Sequence, residues 1–290
     1  MTNNYPAPAK VNLHLAITDV RDDGFHELDT SFVYVDVADS LDISLAKDLQ
    51  VTCNIPALSG EKNLVFQVLQ AFRNTFDITQ GLSVHIDKTL PAQAGLGGGS
   101  SDAATALMVA NHIWGVGCDT ESLIAFAAPF GADIPCFLFG QASLAQGVGE
   151  KLKPYLHAIP HESIVLAWPR KGVSTAAAFA HFDENVFHAL TDEKAEAKVR
   201  ARSDAGDFEM GYNDLEQSAK MLCSPLENML VVMRQQSVRA WMSGSGSACV
   251  ALCDSSKDAN RLKDSLADLG AWVHVGKFLQ KHPLTINIGA

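Results

Sequence analysis

Val11-Asn12-Leu13-His14-Leu15-Ala16-Ile17 alternates with the two-residue period of a half-buried strand, and Asp23-Gly24 then supplies a turn before a second strand around Phe32–Val37. The chain is expected to open as a hairpin. From Asn63 to about Phe72 the apolar residues Leu64, Phe66, Val68, Leu69 and Phe72 fall at helical spacing, and the stretch from Leu82 to Asp87 returns to period two. A glycine-rich loop then precedes a helix whose stripe is Ala103, Leu107, Ala110 and Trp114, with Ser100 or Ser101 as its expected cap. A helix near Glu121–Ala128 and a turn-rich segment, Gly131 to Cys136, lead to strand-like residues and to Gly147-Val148-Gly149-Glu150.

A domain boundary is placed near Lys153-Pro154, dividing residues 1–153 from 154–290. The second part should hold a strand at Ile164–Trp168, a polar helical stretch around Glu193–Arg202 and a capped helix after Asn213-Asp214. It should end as strand Ala248–Cys253, a helix with Ala259, Leu262, Leu266 and Leu269 inward and Gly270 at its end, then strand Trp272–Val275. Strands and helices mixed in this order give an α+β sandwich.

Composition narrows the function classes. With 290 residues, 47% of them hydrophobic, the chain can bury a core without disulfide or metal staples. Asp and Glu number 33 against 22 Lys and Arg, a net charge of −11, which disfavours attachment to nucleic acid or to an anionic membrane. The N-terminal residues lack the basic start and apolar stretch of a signal peptide, and no apolar run approaches a membrane span, so a cytoplasmic location is expected. Six scattered cysteines without metal-ligand spacing read as buried thiols in a reducing compartment.

The loop Pro91-Ala92-Gln93-Ala94-Gly95-Leu96-Gly97-Gly98-Gly99-Ser100-Ser101 carries the strongest chemical signal. Glycines let backbone N–H groups approach a phosphate while the following helix directs its positive end at the same point. It is neither a P-loop, which needs Lys-Ser/Thr after its last glycine, nor G-x-G-x-x-G, because Ser100 stands where the third glycine belongs. A second loop, Ser243-Gly244-Ser245-Gly246-Ser247, would be a tight hairpin on its own.

Pro8-Ala9-Lys10-Val11-Asn12 and these two loops, in this order, resemble the three motifs of the GHMP kinases. Arg21 to Leu28, Gly131-Ala132-Asp133-Ile134-Pro135 and Gly147 to Glu150 are similar to one branch of that family, whose acceptor is a cytidine-diphosphate-linked methylerythritol of the non-mevalonate isoprenoid pathway. The resemblance implies a two-domain GHMP kinase fold with a deep cleft between the domains, ATP as donor, Mg²⁺ carried with it, and phosphorylation of the C2 hydroxyl. No carboxylate cluster in the sequence marks a protein-built metal cage, and oligomeric state is left open.

The resemblance assigns the base to Asp133 and the alkoxide-stabilising cation to Lys10. By its residues alone, Asp133 is a turn former or helix cap, and Lys10 a solvent-facing strand residue. Asn63, Leu64 and Lys88 match positions around the adenine, although Asn63 can simply cap a helix and Lys88 end a strand in solvent. Pro91, Ala92, Gln93, Ala94, Gly95, Leu96, Gly97, Gly98, Gly99, Ser100 and Ser101 would hold the phosphates, with Ser101 the hydroxyl for the metal. Asn12, Phe25, His26, Phe179, Gly244, Ser245 and Gly246 would meet the acceptor: two rings stack on the cytosine and the histidine bonds its edge. The family usually has Tyr where Phe25 stands, so the stacking face is kept and a hydroxyl is lost. A sibling kinase of mevalonate or homoserine type, or a noncatalytic sensor on the same fold, are the alternatives. The sibling does not need Gly24-Phe25-His26, and the sensor could discard Lys10 or Asp133.

Overall fold

The computed structural model describes residues 4–159, 163–185 and 210–286, and the helical stretch expected at 193–202 lies outside them. Two long strands, β1 (Asn4–Val20) and β2 (His26–Ala46), form the opening hairpin. β2 is the hub of the first sheet. Besides β1 it pairs with β4 (Gly81–Asp87), β5 (Ser143–Gly147) and β11 (Phe278–Leu279), while β3 (Gln50–Cys53) lies parallel to β4 and β6 (Lys151–Pro154) pairs with β5. A division at 153/154 therefore falls within β6, and β11 returns to the sheet where the chain began. The second sheet has four antiparallel strands in the order β10 (Trp272–Gly276), β7 (Ser163–Trp168), β9 (Cys249–Cys253), β8 (Arg239–Met242).

Alternation along the strands divides the interior into three cores. Helices α1 (Leu64–Thr75), α2 (Gly98–Ile113), α3 (Thr120–Ala127) and α4 (Ile134–Phe139) cover the first sheet, with Phe72, Leu107 and Phe137 packed in one core with Tyr34, Ile43 and Ile86. Between the sheets, Val11, Leu13, Val33 and Val35 share a core with Leu166, Trp241 and Val250. The intervening residues of β7, Val165 and Ala167, join the helices α5 (Thr175–Asn185), α6 (Glu216–Leu222), α7 (Ser224–Gln236) and α8 (Ser256–Asp268) through Phe182, Leu230 and Leu262. Since Val11 and Leu13 point between the sheets, Lys10 and Asn12 must point the other way, and both are buried. A register shift between Asn12 and His14 ends this alternation and turns His14 to Ser31 and Asp29 on the opposite face of β2.

Four expectations need correction. The N-cap of α2 is Gly97, at φ 70°, and no side chain caps the helix; Ser100 and Ser101 lie inside its first turns. A glycine tolerates this left-handed position, so the helix starts earlier than a serine cap would allow and its first N–H groups keep no intrahelical acceptor. Residues 134–139 form α4 rather than running directly into a strand, because Pro135 in the first turn suits a helix start. Leu269 is exposed, lying at the C-cap of α8 beyond its inward stripe. Helices α5 and α7 have no counterpart in the sequence reading. Of the six cysteines, all free, five are buried and Cys118 is half-buried.

His282, just after β11, packs edge-on against Tyr34 with ring centroids 5.6 Å apart, and its Nδ1 accepts from the Leu284 N–H at 3.1 Å. Burial pushes its imidazole down to about 4. The unfolded chain takes up this proton near pH 6.5, so the contribution of the neutral ring is complete above that pH and is lost as pH falls through about 4. The loss should reach about 3 kcal/mol. Urea unfolding of the parent and of His282→Gln between neutral and about pH 4 should show the variant losing less; parallel curves would contradict this.

Candidate active site

Hydrogen bonds bring the three motifs together around β1. Lys10 donates its backbone N–H to Leu96 O in the first glycine loop at 3.0 Å. The Asn12 N–H donates to Ser243 Oγ at 3.1 Å, Ser243 Oγ donates to Gly95 O at 3.3 Å, and the Ala248 N–H donates to Ala94 O at 2.9 Å. Trp241 Nε1 closes the arrangement on Asn12 O at 2.8 Å. Glycine is required at the contact: a Cβ on Gly97 would stand 2.9 Å from the Phe137 ring and 3.1 Å from Lys10 Cγ, at a positive φ besides.

The Lys10 ammonium lies 2.8 Å from Asn12 Oδ1, 3.5 Å from Asp133 Oδ2 and 5.3 Å from the centroid of Phe32. It is nearly inaccessible, whereas the Asp133 side chain is 37% exposed. Asp133 occupies the N-cap position of α4, yet its carboxylate makes no cap bond. A plain helix cap would spend its oxygens on the backbone; here one faces a buried cation and the carboxylate borders the open cleft. Lys10 is thus not the solvent-facing strand residue that its local sequence alone suggests, and Asp133 stands at the N-cap position without capping the helix through its side chain.

The cleft has a volume of about 1520 Å³. All the expected site residues line it except Ser101 and Gly246. Ser101 is fully buried and its Oγ has no hydrogen-bond partner. Gly246 faces inward, where a Cβ would meet Met242 Sδ at 2.6 Å. Asn63 caps α1, accepting from the Val65 N–H at 2.8 Å, while it also borders the cleft. His14, with Ser31 Oγ and Asp29 Oδ1 each at 2.9 Å from its ring nitrogens, is tied to β2 and lies outside the cleft wall.

Lys88 is not a solvated strand end. Its side chain is 6% exposed and is held between Asp39 and Asp102, the latter at 2.8 Å. Asp39 Oδ1 accepts the Thr89 and Leu90 N–H groups at 2.6 and 2.8 Å. Asp102 Oδ1 has no partner, and burial pushes the Asp102 carboxyl up, against the pull of Lys88. Burial by itself would lower Lys88, but the two carboxylates outweigh it and hold the ammonium above its usual range. The cluster sits directly beneath the first glycine loop: a Cβ on Gly98 would stand 3.2 Å from Lys88 Nζ.

At the other end of the cleft, the β1–β2 turn presents Phe25, which is 61% exposed. Asp23 Oδ1 accepts the Phe25 N–H at 3.1 Å and shapes the turn. His26 is buried against Phe179, ring centroids 4.5 Å apart, and its Nε2 lies 2.7 Å from Asp183 Oδ1. Asp183 escaped the sequence reading, although it follows Phe179 by four residues on α5 and so shares its face. Asp39 and Asp102 also escaped it, since an acid inside a strand or helix gives no local sign of a buried partner.

Family models for the GHMP kinases N terminal domain and the GHMP kinases C terminal domain match residues 63–141 and 193–271. The chain is 36% identical over 284 residues to the 4-diphosphocytidyl-2-C-methyl-D-erythritol kinase of Cupriavidus metallidurans, covering 97% of this chain and 94% of the relative. It is 37% identical to the enzyme of that name from Desulfitobacterium hafniense, covering 88% and 89%. A crystal structure of 4-(cytidine 5'-diphospho)-2C-methyl-D-erythritol kinase superposes with a TM-score of 0.74 at 33% identity, over 95% of this chain and 98% of the other. A mevalonate kinase with a TM-score of 0.70 and 12% identity shares the fold. With motifs, cleft and relatives in agreement over almost its full length, the chain belongs to the GHMP kinases, within the 4-diphosphocytidyl-2-C-methyl-D-erythritol kinase family.

Proposed function

We propose that the cleft moves the γ-phosphoryl group of ATP to the C2 hydroxyl of 4-diphosphocytidyl-2-C-methyl-D-erythritol, with Asp133 as base and Lys10 as the cation beside the developing alkoxide. The observation that carries this reading is the buried Lys10 ammonium 3.5 Å from a cleft-facing carboxylate, on a strand bonded to the glycine loop. A tertiary alcohol is a weak nucleophile near neutral pH. Asp133 takes its proton as the oxygen bonds to the γ-phosphorus and the bond to the β–γ bridging oxygen breaks, releasing ADP. Lys10 orients that carboxylate and offsets charge on the oxygen.

Residues 1–153 supply the phosphate loop and base, and residues 154–290 supply Phe179 and the second glycine loop. Phe25, His26 and Phe179 receive the cytosine. Asn63, Leu64 and the edge of the cleft near Lys88 receive the adenine, and the N–H groups at the start of α2 meet the phosphates. Among the described residues no group of three or more His, Cys, Asp or Glu is placed to hold a metal ion, and the fully buried Ser101 hydroxyl lies outside the cleft lining, so the residues present do not build a metal site and the ion would come with the nucleotide. When bound, Mg²⁺ neutralises the β- and γ-phosphates. No helix among the described residues is long and apolar enough to cross a membrane, and we place the enzyme in the cytoplasm.

The test is ADP release with ATP, Mg²⁺ and the cytidyl substrate, beside mevalonate and homoserine. Turnover should require the cytidyl compound; turnover of either control alone would replace this reading with the sibling one.

A further inference from the structure

We propose that Asp183 is a positioning residue that fixes His26 as a hydrogen-bond acceptor toward the base, so that the kinase selects an acceptor carrying cytosine over one carrying uracil; this rests on the reaction assigned above. His26 Nε2 lies 2.7 Å from Asp183 Oδ1. A carboxylate only accepts, so Nε2 is the nitrogen that carries the proton and donates it, and in the neutral ring Nδ1 keeps its lone pair. Nδ1 bonds to no described residue, yet it is not sealed from solvent. His26 stands in the row of β2 side chains, with Leu28, Thr30 and Phe32, that borders the cleft, so a ligand there can reach that lone pair.

Two observations separate Asp183 from an ordinary brace between α5 and β2. Among the described residues it makes no other hydrogen bond or ion pair, and its side chain is 39% exposed on the wall of a cleft that receives phosphates. A bare carboxylate repels such groups, so its place there is explained by what it does to His26. α5 carries it one turn beyond Phe179, whose ring centroid lies 4.5 Å from that of His26. One turn of helix thus sets both a stacking ring and the tautomer of the histidine beside it, while Phe25, the residue before His26, borders the same space.

What the lone pair can meet follows from the base. The pairing edge of cytosine offers a single donor, the 4-amino group, beside the acceptors N3 and O2. An acceptor nitrogen pairs with the amino group alone. Uracil in the same stack turns the lone pairs of its O4 toward Nδ1, and a site whose own polar group is left unpaired rejects the analogue that leaves it so.

The experiment compares the parent and Asp183→Asn on the cytidyl substrate, on its uridine counterpart and on its 2'-deoxycytidine counterpart. The parent should prefer cytosine to uracil by about 10-fold or more in kcat/KM. Asn keeps the size of the side chain, but its amide can donate to Nε2 as well as accept from it, so either tautomer is satisfied. In that variant the preference should fall below about threefold, with KM for the cytidyl acceptor raised about 10-fold and KM for ATP moved less than about twofold. The 2'-deoxy penalty, which reports contacts to the ribose, should be the same in both proteins. Nitrogen NMR of histidine-labelled enzyme, with the His26 signal assigned by its loss in His26→Gln, should show a protonated Nε2 and a bare Nδ1 in the parent and mixed tautomers in Asp183→Asn. An active parent without a base preference, a variant that keeps the parent's preference, a change confined to the 2'-deoxy penalty, or a proton on Nδ1 in the parent overturns the role of Asp183. A parent inactive on the cytidyl substrate overturns the reaction itself.

Discussion

Asp133→Asn should lower kcat by ~10²–10⁴-fold while ATP still binds near its normal affinity. The amide keeps the size of the carboxylate but cannot take a proton, and the first glycine loop it leaves untouched is held by β1 and the second glycine loop. Lys10→Met should also remove turnover, because Asp133 then loses the cation 3.5 Å away that orients it. The two losses should not add, since either change disables the same pair. Single-turnover phosphoryl transfer beside equilibrium binding of a non-hydrolysable ATP analogue checks this. An Asn variant within a few-fold of the parent's rate would remove Asp133 from the chemistry.

Lys88→Met should be the most destabilising single change among these. It strips the ammonium from two buried carboxylates, and breaking a buried ionic group by removing one partner costs about 3–5 kcal/mol. The sign of its pH dependence follows from the acids. Burial already raises Asp102, and without Lys88 it rises further, so its folded-state pKa lies above the unfolded one. Stability is then retained at low pH and lost as pH rises. Urea unfolding should show a deficit that is largest near about pH 8.5 and shrinks toward about pH 5.5; a deficit of the same size at both would show that lost packing, and not charge, is responsible.

Which of these features can be read from the sequence depends on how local their cause is. The hairpin, the helix after Asn63 and the glycine loop announce themselves because periodicity and turn residues act over a few positions. The base and the cation were assigned by resemblance alone, since Asp133 and Lys10 are 123 positions apart and only the folded chain places them at 3.5 Å. The solvated strand end that Lys88 suggests by its local sequence fails for the same reason: Asp39 and Asp102, which hold it, are contributed by β2 and α2. α4 stayed hidden because Gly131 and Pro135 resemble turn signals, and a six-residue helix shows too little periodicity to oppose them.

The alternation in β1 ties two properties that are usually separate. Lys10 and Asn12 face the cleft because Val11 and Leu13 fill the space between the sheets. Sliding that strand by one residue would exchange the two rows, sending a charge into hydrocarbon and aliphatic groups toward the cleft. Faulty pairing of the opening hairpin would therefore cost stability and dismantle the cleft wall at once.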